Sequence, residues 1–232
     1  MKDNLGMKKR DHSESKQGGK PAAKRKRRTR AQRRARNDLG RFSRMWGELT
    51  EEQRTAWRRR AREMDRLVRN GQYYRLEGQQ LFNKLNSVLA ICEREPLADP
   101  PPQPKFGPNP VQALQITGIG DSIALRLSVS GSPTEDIMVF ASPPCSAGRG
   151  SCHDYRFLGL LPAAVEHLSD ITRLYIKKFG VPPANTRIFI RAWQQVVGWE
   201  CRGQVRLVNA LVPAQGTAAD GQRGGRAGGK KG

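Results

Sequence analysis

A proline-rich run, PLADPPPQPKFGPNP from Pro96 to Pro110, constrains the fold of this chain more than any other feature. It holds seven prolines in fifteen residues, and such a composition favours an extended, semi-rigid spacer. Apolar residues recur at helical spacing before the run and at alternating spacing after it. The sequence therefore predicts an α+β protein made of two separate folded units, joined by a linker at 96–110.

The segment before the linker, 39–95, predicts a small three-helix module. Its stretch GRFSRMWGEL spaces the apolar residues as one face of a helix. Thr50 and Gln53 match a capping box, so a second helix is expected from Glu51 to about Arg69, where Asn70-Gly71 would stop it. A third helix is expected from about Gln79 to Arg94.

The segment after the linker, 111–213, predicts an antiparallel β-sandwich. Alternating apolar residues or β-favouring runs mark the expected strands Ser122–Ser130, Asp136–Ala141, Arg156–Leu161, Thr186–Val196 and Gln204–Val208. The stretch from Ser169 to Gly180 fits either a short helix or a strand. Six or seven strands in about a hundred residues are typical of a sandwich.

The stretch Thr186-Arg-Ile-Phe-Ile-Arg-Ala-Trp, with Gly198 following, resembles the penultimate strand of a fibronectin type III domain. The resemblance covers that strand well and the segment 111–213 loosely. It implies a fibronectin-like sandwich that binds a protein or spaces other domains, and it implies no catalytic residues.

The helical segment also carries a short resemblance, to part of an HMG box. It rests on Trp46, the Leu49-Thr50 step, Trp57 and Ala61. The whole two-part arrangement is similar to that of bacterial proteins that are themselves uncharacterised, which supports the domain layout alone.

The N-terminal segment, 1–38, predicts a disordered basic arm. Residues 1–41 carry sixteen Lys or Arg against four Asp or Glu, so they hold more than half of the net charge of +21. The stretch KRKRRTRAQRRAR, 24–36, has nine cations and no acidic residue. Like charges without apolar residues to bury do not fold alone. The Gly/Arg/Lys-rich tail, 214–232, is expected to be disordered for the same reason.

The arm predicts binding to nucleic acid or another polyanion by phosphate neutralisation, which depends steeply on salt. An arginine stripe on the second helix extends the same surface, unless its acidic neighbours balance it. Readout of bases is not expected, because an unfolded arm holds no rigid element against base edges. The residues predicted to bind nucleic acid are Lys24, Arg25, Lys26, Arg27, Arg28, Arg30, Arg33, Arg34, Arg36, Arg58, Arg62 and Arg66.

Four cysteines and three histidines offer little chemistry. Cys145, Cys152 and His153 are spaced more widely than the paired ligands of zinc sites, even with Cys201 or His167 added. We expect two incidental thiols in a long loop, with a Cys145–Cys152 disulfide as the alternative in an exported protein. No catalytic set, cofactor or small-molecule substrate is expected, so the chain is interpreted as non-enzymatic.

No apolar run is long enough to span a membrane, and no apolar stretch follows the N-terminal charges as in a signal peptide. We therefore expect a cytoplasmic protein, nucleoid-associated in a bacterium or nuclear in a eukaryote. The leading hypothesis is a modular protein whose arm binds nucleic acid and whose sandwich binds a protein. The alternative is a structural component of a particle or envelope, in which the sandwich works and the arm is a tether.

Overall fold

The structure is a computed structural model, and it describes residues 29–64, 67–69, 71–131 and 135–214. Its first part holds three helices: α1 Arg30–Glu48, α2 Glu51–Glu63 and α3 Gly78–Ile91. The predicted capping box is confirmed, because the Thr50 hydroxyl accepts from the Gln53 amide at 3.3 Å and Gln53 Oε1 accepts from the Thr50 amide at 3.0 Å.

The three helices bury one aromatic cluster. Phe42, Trp57 and Phe82 are fully buried. The Phe82 ring lies edge-on to Trp57 at 5.3 Å between centroids and tilted against Trp46 at 5.5 Å. Leu49 joins the cluster at the corner between α1 and α2. This arrangement agrees with the apolar faces that the sequence predicts for these helices.

The second helix is shorter than predicted. It ends at Glu63 instead of near Arg69, and a two-stranded antiparallel hairpin follows, β1 Leu67–Arg69 and β2 Gln72–Tyr74. Asn-Gly is the dipeptide that favours tight hairpin turns, and Gly71 has a positive φ of 75°. The Asn70-Gly71 signal was therefore misinterpreted as a helix stop.

The N-terminal boundary also differs from the prediction. The arm was expected to extend unfolded to residue 38, whereas α1 begins at Arg30. The prediction considered the missing apolar residues and the repulsion between like charges, and it left out helix propensity. Arginine, alanine and glutamine are strong helix formers, and a cap at Thr29 starts the helix. Residues 30–38 are thus two helical turns that continue into the packed part of α1.

Antiparallel strands form the second part of the structure. They are β3 Val111–Thr117, β4 Ala124–Val129, β5 Asp136–Ala141, β6 Cys145–Ser146, β7 Arg156–Leu160, β8 Leu168–Asp170, β9 Thr186–Val196, β10 Trp199–Glu200 and β11 Arg206–Leu211. One sheet has the order β3-β4-β8. The other has the order β11-β9-β5-β7, with β6 and β10 paired to the ends of β9.

The two sheets enclose the larger hydrophobic core. Leu125 and Leu127 of β4 face Val139 of β5 and Ile188 and Ile190 of β9, all fully buried. This alternation is the pattern that predicted the strands, and the arrangement is compatible with a β-sandwich.

The ambiguous stretch after Ser169 contains both elements. Strand β8 leads into a short helix, α4 Thr172–Phe179, which ends at Gly180 with a φ of 81°. Tyr175 is fully buried, and its hydroxyl donates to the Ser142 carbonyl at 3.2 Å. Burial raises the pKa of this phenol.

The helices pack against the second sheet, which the sequence analysis did not predict. Trp199 of β10 is 5% exposed and belongs to the aromatic cluster of α1, α2 and α3. The backbone at Gly198 approaches α3 so closely that an added Cβ would lie 2.7 Å from the Leu85 carbonyl oxygen. Further along α3, Val88 packs with Trp193 of β9.

The proline-rich segment, 96–110, has no regular secondary structure and lies along this interface. The Trp57 indole donates to the Ala98 carbonyl at 2.7 Å. Buried Asn86 of α3 exchanges two hydrogen bonds with the backbone of Leu97, and Phe106 packs against the aromatic cluster. The segment therefore contacts the helices in addition to joining the two parts. No helix in the described part of the chain could cross a membrane.

Candidate nucleic-acid interface

The basic surface of the protein is built on α1, and its first turn is fixed by side-chain capping. The Thr29 hydroxyl accepts from the Gln32 amide at 3.2 Å, and Gln32 Oε1 accepts from the Thr29 amide at 3.0 Å. No acidic residue lies in this first turn. The positive end of the helix dipole therefore coincides with the arginines, and both favour an anion there.

The arginines of α1 share one side of the helix. At 100° per residue, five of them fall within a sector of about 100°, with Asn37 at its centre. We call this set the α1 arginine face: Arg30, Arg33, Arg34, Arg41 and Arg44, all exposed. Arg36 is also exposed and lies about 60° beyond the edge of the face.

No described carboxylate forms an ion pair with this face, although Asp38 of α1 lies four residues after Arg34 and three before Arg41. The ion pairs of the structure involve other arginines, on α2, at the end of α3 and among the strands. The Arg34 guanidinium makes one long hydrogen bond, 3.5 Å, to the Ala90 carbonyl of α3. Arg41 lies over the ring of Phe42 at 4.9 Å. Neither contact removes positive charge, so the face remains available to an anion.

The arginine stripe predicted on α2 is partly neutralised. Glu51 lies 2.5 Å from Arg58 and 3.5 Å from Arg54, and the hydrogen bond from Arg58 lowers the pKa of that carboxyl. Arg54 also donates to the Trp46 and Gly47 carbonyls, so it holds α2 against the end of α1.

Some predicted site residues fall elsewhere. Arg58 and Arg62 are exposed, and within the described residues Arg62 makes no ion pair. Lys24, Arg25, Lys26, Arg27, Arg28 and Arg66 lie outside the described residues. The structure therefore brings together the predicted cations of 30–36 and adds two that the prediction left out, Arg41 and Arg44. Arg41 lies eleven residues after Arg30, and Arg44 lies eleven residues after Arg33. This spacing is close to three helical turns and is the signal that could have found them.

A second candidate surface lies on the outer face of the β9 sheet. A cavity of about 400 Å³ opens between the 150–155 loop and strands β9 and β11, with Arg191 and Asn209 among its lining residues. Leu207 and Leu211 of β11 are 62% and 41% exposed. Among the described strands β11 pairs only with β9, so it forms an edge of the sheet beside this cavity.

The cysteines of the 145–152 loop lie together under this surface. Cys145 and Cys152 are buried in one cluster with Phe189, and both are free thiols. Burial raises the pKa of the Cys145 thiol, which disfavours the thiolate needed for nucleophilic attack or metal binding. His153 is exposed at the rim of the cavity. Across the residues described, no group of three or more His, Cys, Asp or Glu is placed to hold a metal ion.

In comparisons with known proteins, no family model, no curated protein and no solved structure matches this chain.

Proposed function

We propose that this protein is a non-enzymatic, modular protein that binds nucleic acid, or another polyanion, through its basic N-terminal segment and the α1 arginine face. One observation carries the proposal: α1 holds six exposed arginines, and none of them forms an ion pair with a described carboxylate. A polyphosphate backbone supplies the missing negative charges at regular intervals, and release of its counterions drives binding.

A comparison of the α1 arginines with the arginines in the rest of the protein supports this interpretation. Some arginines outside α1 lie beside acidic residues, as in the pairs Arg94–Asp136, Arg156–Asp154 and Arg202–Glu200. Exposed arginines without a described ion pair also occur elsewhere, as at Arg126 and Arg173, but α1 holds six of them on one helix. The concentration on α1 favours a surface for an anionic partner.

The residues that carry the HMG-box resemblance act in the core. Trp57 and Ala61 are buried, and Leu49 lies at the α1–α2 corner. In this proposal they hold α1 at a fixed angle to the rest of the protein, and they make no contact with the nucleic acid.

For the second part we propose a fibronectin-like sandwich that binds a protein. Its main strands in chain order are β3, β4, β5, β7, β8, β9 and β11. Strands β3, β4 and β8, which are the first, second and fifth of these, form one sheet. Strands β7, β5, β9 and β11, which are the fourth, third, sixth and seventh, form the other. Constant-type immunoglobulin sandwiches divide their seven strands between two sheets in the same way, except that their fourth strand lies in the sheet of the first, second and fifth. The exposed leucines of edge strand β11 favour this side for the partner.

The test of polyanion binding is the salt dependence of affinity. We expect about 5–8 phosphate contacts from the basic segment, and thus a log–log slope of about −5 to −7 on duplex DNA. Replacing Arg30, Arg33 and Arg41 by Gln should flatten the slope by about 2–3. The matched control replaces three exposed cations of α4, Arg173, Lys177 and Lys178, by Gln and should change it by less than about 1.

Fluorescence anisotropy of labelled duplexes at several salt concentrations gives these slopes. A shallow slope in the wild type would contradict the proposal. Equal flattening by the α1 and α4 variants would also contradict it, because the net charge alone would then explain binding.

A further inference from the structure

The first two turns of α1 project from the body of the protein. The apolar face of α1 begins at Phe42, the first buried residue of the helix. Ala35 lies seven residues earlier, two helical turns along nearly the same side, and yet it is exposed. The neighbouring part of the molecule therefore does not cover this side of the helix at Ala35. Residues 30–37 form a helical segment about 12 Å long that extends beyond the packed part of α1, and the Arg34 side chain links it to α3 through the 3.5 Å hydrogen bond to the Ala90 carbonyl.

The dimensions of this segment match one kind of nucleic-acid groove. An α-helix with its side chains is about 10–12 Å across, and the major groove of B-form DNA is about 12 Å wide. The major groove of A-form RNA is too deep and narrow to admit such a helix. A helix that extends beyond the body can enter the groove without bringing the rest of the protein against the groove walls.

The side chains of the segment suit the walls and the floor of that groove. Arg36 and Arg34 project about 160° apart around the helix, so they point towards the phosphates on opposite walls. The long hydrogen bond from Arg34 to Ala90 would be exchanged for a phosphate contact. Between the two lie Arg30, Arg33 and Asn37, all exposed. Arginine pairs with the edge of guanine and asparagine with the edge of adenine in the major groove.

We infer that the N-terminal half of α1, residues 30–37, binds as a helix in the major groove of duplex DNA, with Asn37 and its flanking arginines against the base edges. The inference rests on the proposed function and adds a partner, duplex DNA, and a geometry. It also replaces the expectation that no rigid element would present side chains to bases, since that expectation treated these residues as part of an unfolded arm.

Substitutions at Ala35 test the contribution of the helical conformation to binding separately from that of the positive charge. Ala35→Pro keeps every cation but breaks α1 before residue 35, because proline removes a backbone hydrogen bond and disfavours helix at the preceding residue. The helix can restart at the substituted position, as proline is favoured at the first helical position, so the core from Phe42 onward is retained. Ala35→Gln is the matched control, because glutamine is a good helix former and the site is exposed.

The full-length chain is titrated with a DNA duplex, an RNA duplex of the same sequence and a single strand. We expect Ala35→Pro to weaken DNA-duplex binding by about tenfold to a hundredfold, the lower value applying if the unfolded turns keep phosphate contacts. Binding to the RNA duplex and the single strand should change by less than about threefold, and Ala35→Gln should match the wild type. Asn37→Ala should reduce the preference among DNA sequences selected from a random pool.

Two results distinguish the possible failures. If Ala35→Pro binds the DNA duplex as tightly as the wild type while the salt slope stays steep, groove binding is wrong and the proposed function stands. If the wild type shows no steep slope on any nucleic acid, both are wrong. Far-UV circular dichroism and thermal unfolding of each variant show whether the loss of helix is confined to the first turns. If the Pro variant unfolds globally, Ala35→Gly, which weakens the helix less, replaces it and should lower DNA-duplex affinity about threefold to fivefold.

Discussion

Trp199 links the two parts of the protein, and its removal should destabilise both. The side chain leaves β10 and enters the cluster of Phe42, Trp57 and Phe82, where it is 5% exposed. Truncating a buried tryptophan to alanine costs about 3–5 kcal/mol, because burial is lost and a cavity remains. With a urea dependence of about 2 kcal/mol/M, Trp199→Ala should lower the unfolding midpoint by about 1.5–2.5 M.

The indole nitrogen of Trp199 provides the control. It is buried and donates to no acceptor in the described part of the structure. Trp199→Phe removes this unpaired donor, which offsets part of the lost volume, so we expect a loss below about 1.5 kcal/mol. A large effect of Phe would show that the nitrogen has a partner.

Urea unfolding followed by circular dichroism, with the remaining tryptophans as a second probe, gives the result. In the wild type the two probes should report one transition, because the aromatic cluster belongs to helices and sheet alike. In Trp199→Ala the two parts should unfold separately, with proteolysis then occurring first at 96–110. A midpoint within about 0.3 M of wild type would refute burial of Trp199 at this interface.

Three further predictions concern the same interface. Gly198→Ala should cost more than about 2 kcal/mol in urea unfolding, because the new Cβ would lie 2.7 Å from the Leu85 carbonyl oxygen at a φ of 86°; wild-type stability would contradict this close approach. Burial, with the nearby Asp136 charge, raises the pKa of the Cys92 thiol to about 11. Stability should therefore fall as pH rises from about 9 to 11, where the unfolded Cys92 thiol loses its proton and the folded one keeps it. Cys92→Ala should reduce that fall, and Cys145, Tyr155 and Tyr175, whose pKa values burial also raises, should account for the remainder. Asp136→Asn should cost about 1 kcal/mol, because it weakens the hydrogen bonds that Asp136 accepts from Arg94, at 3.0 and 3.1 Å, and from Gln195, at 2.7 Å. No change in the melting temperature would show that the charge of Asp136 contributes nothing to stability.

Local patterns in the sequence were sufficient to predict most of the secondary structure. The capping box at Thr50 and the alternation of apolar residues along β4 and β9 depend only on neighbouring residues, so they can be recognised without a tertiary structure. The errors arose where one local signal had two meanings. An Asn-Gly pair such as that at 70–71 can form the turn of a hairpin as well as end a helix. An arginine-rich stretch is both highly charged and strongly helix-forming.

For the candidate site too, some features could be inferred from the sequence and others required the tertiary structure. The proposed type of partner comes from the sequence, because the excess of cations in the first forty-one residues is a property of composition. The exposure of Ala35, the lack of described ion pairs at the α1 arginine face, and the burial of Trp199 among the helices followed only from the tertiary structure. Each depends on residues far apart in the chain. A periodic pattern records which side of its own element a residue lies on, and it holds no information about what lies opposite.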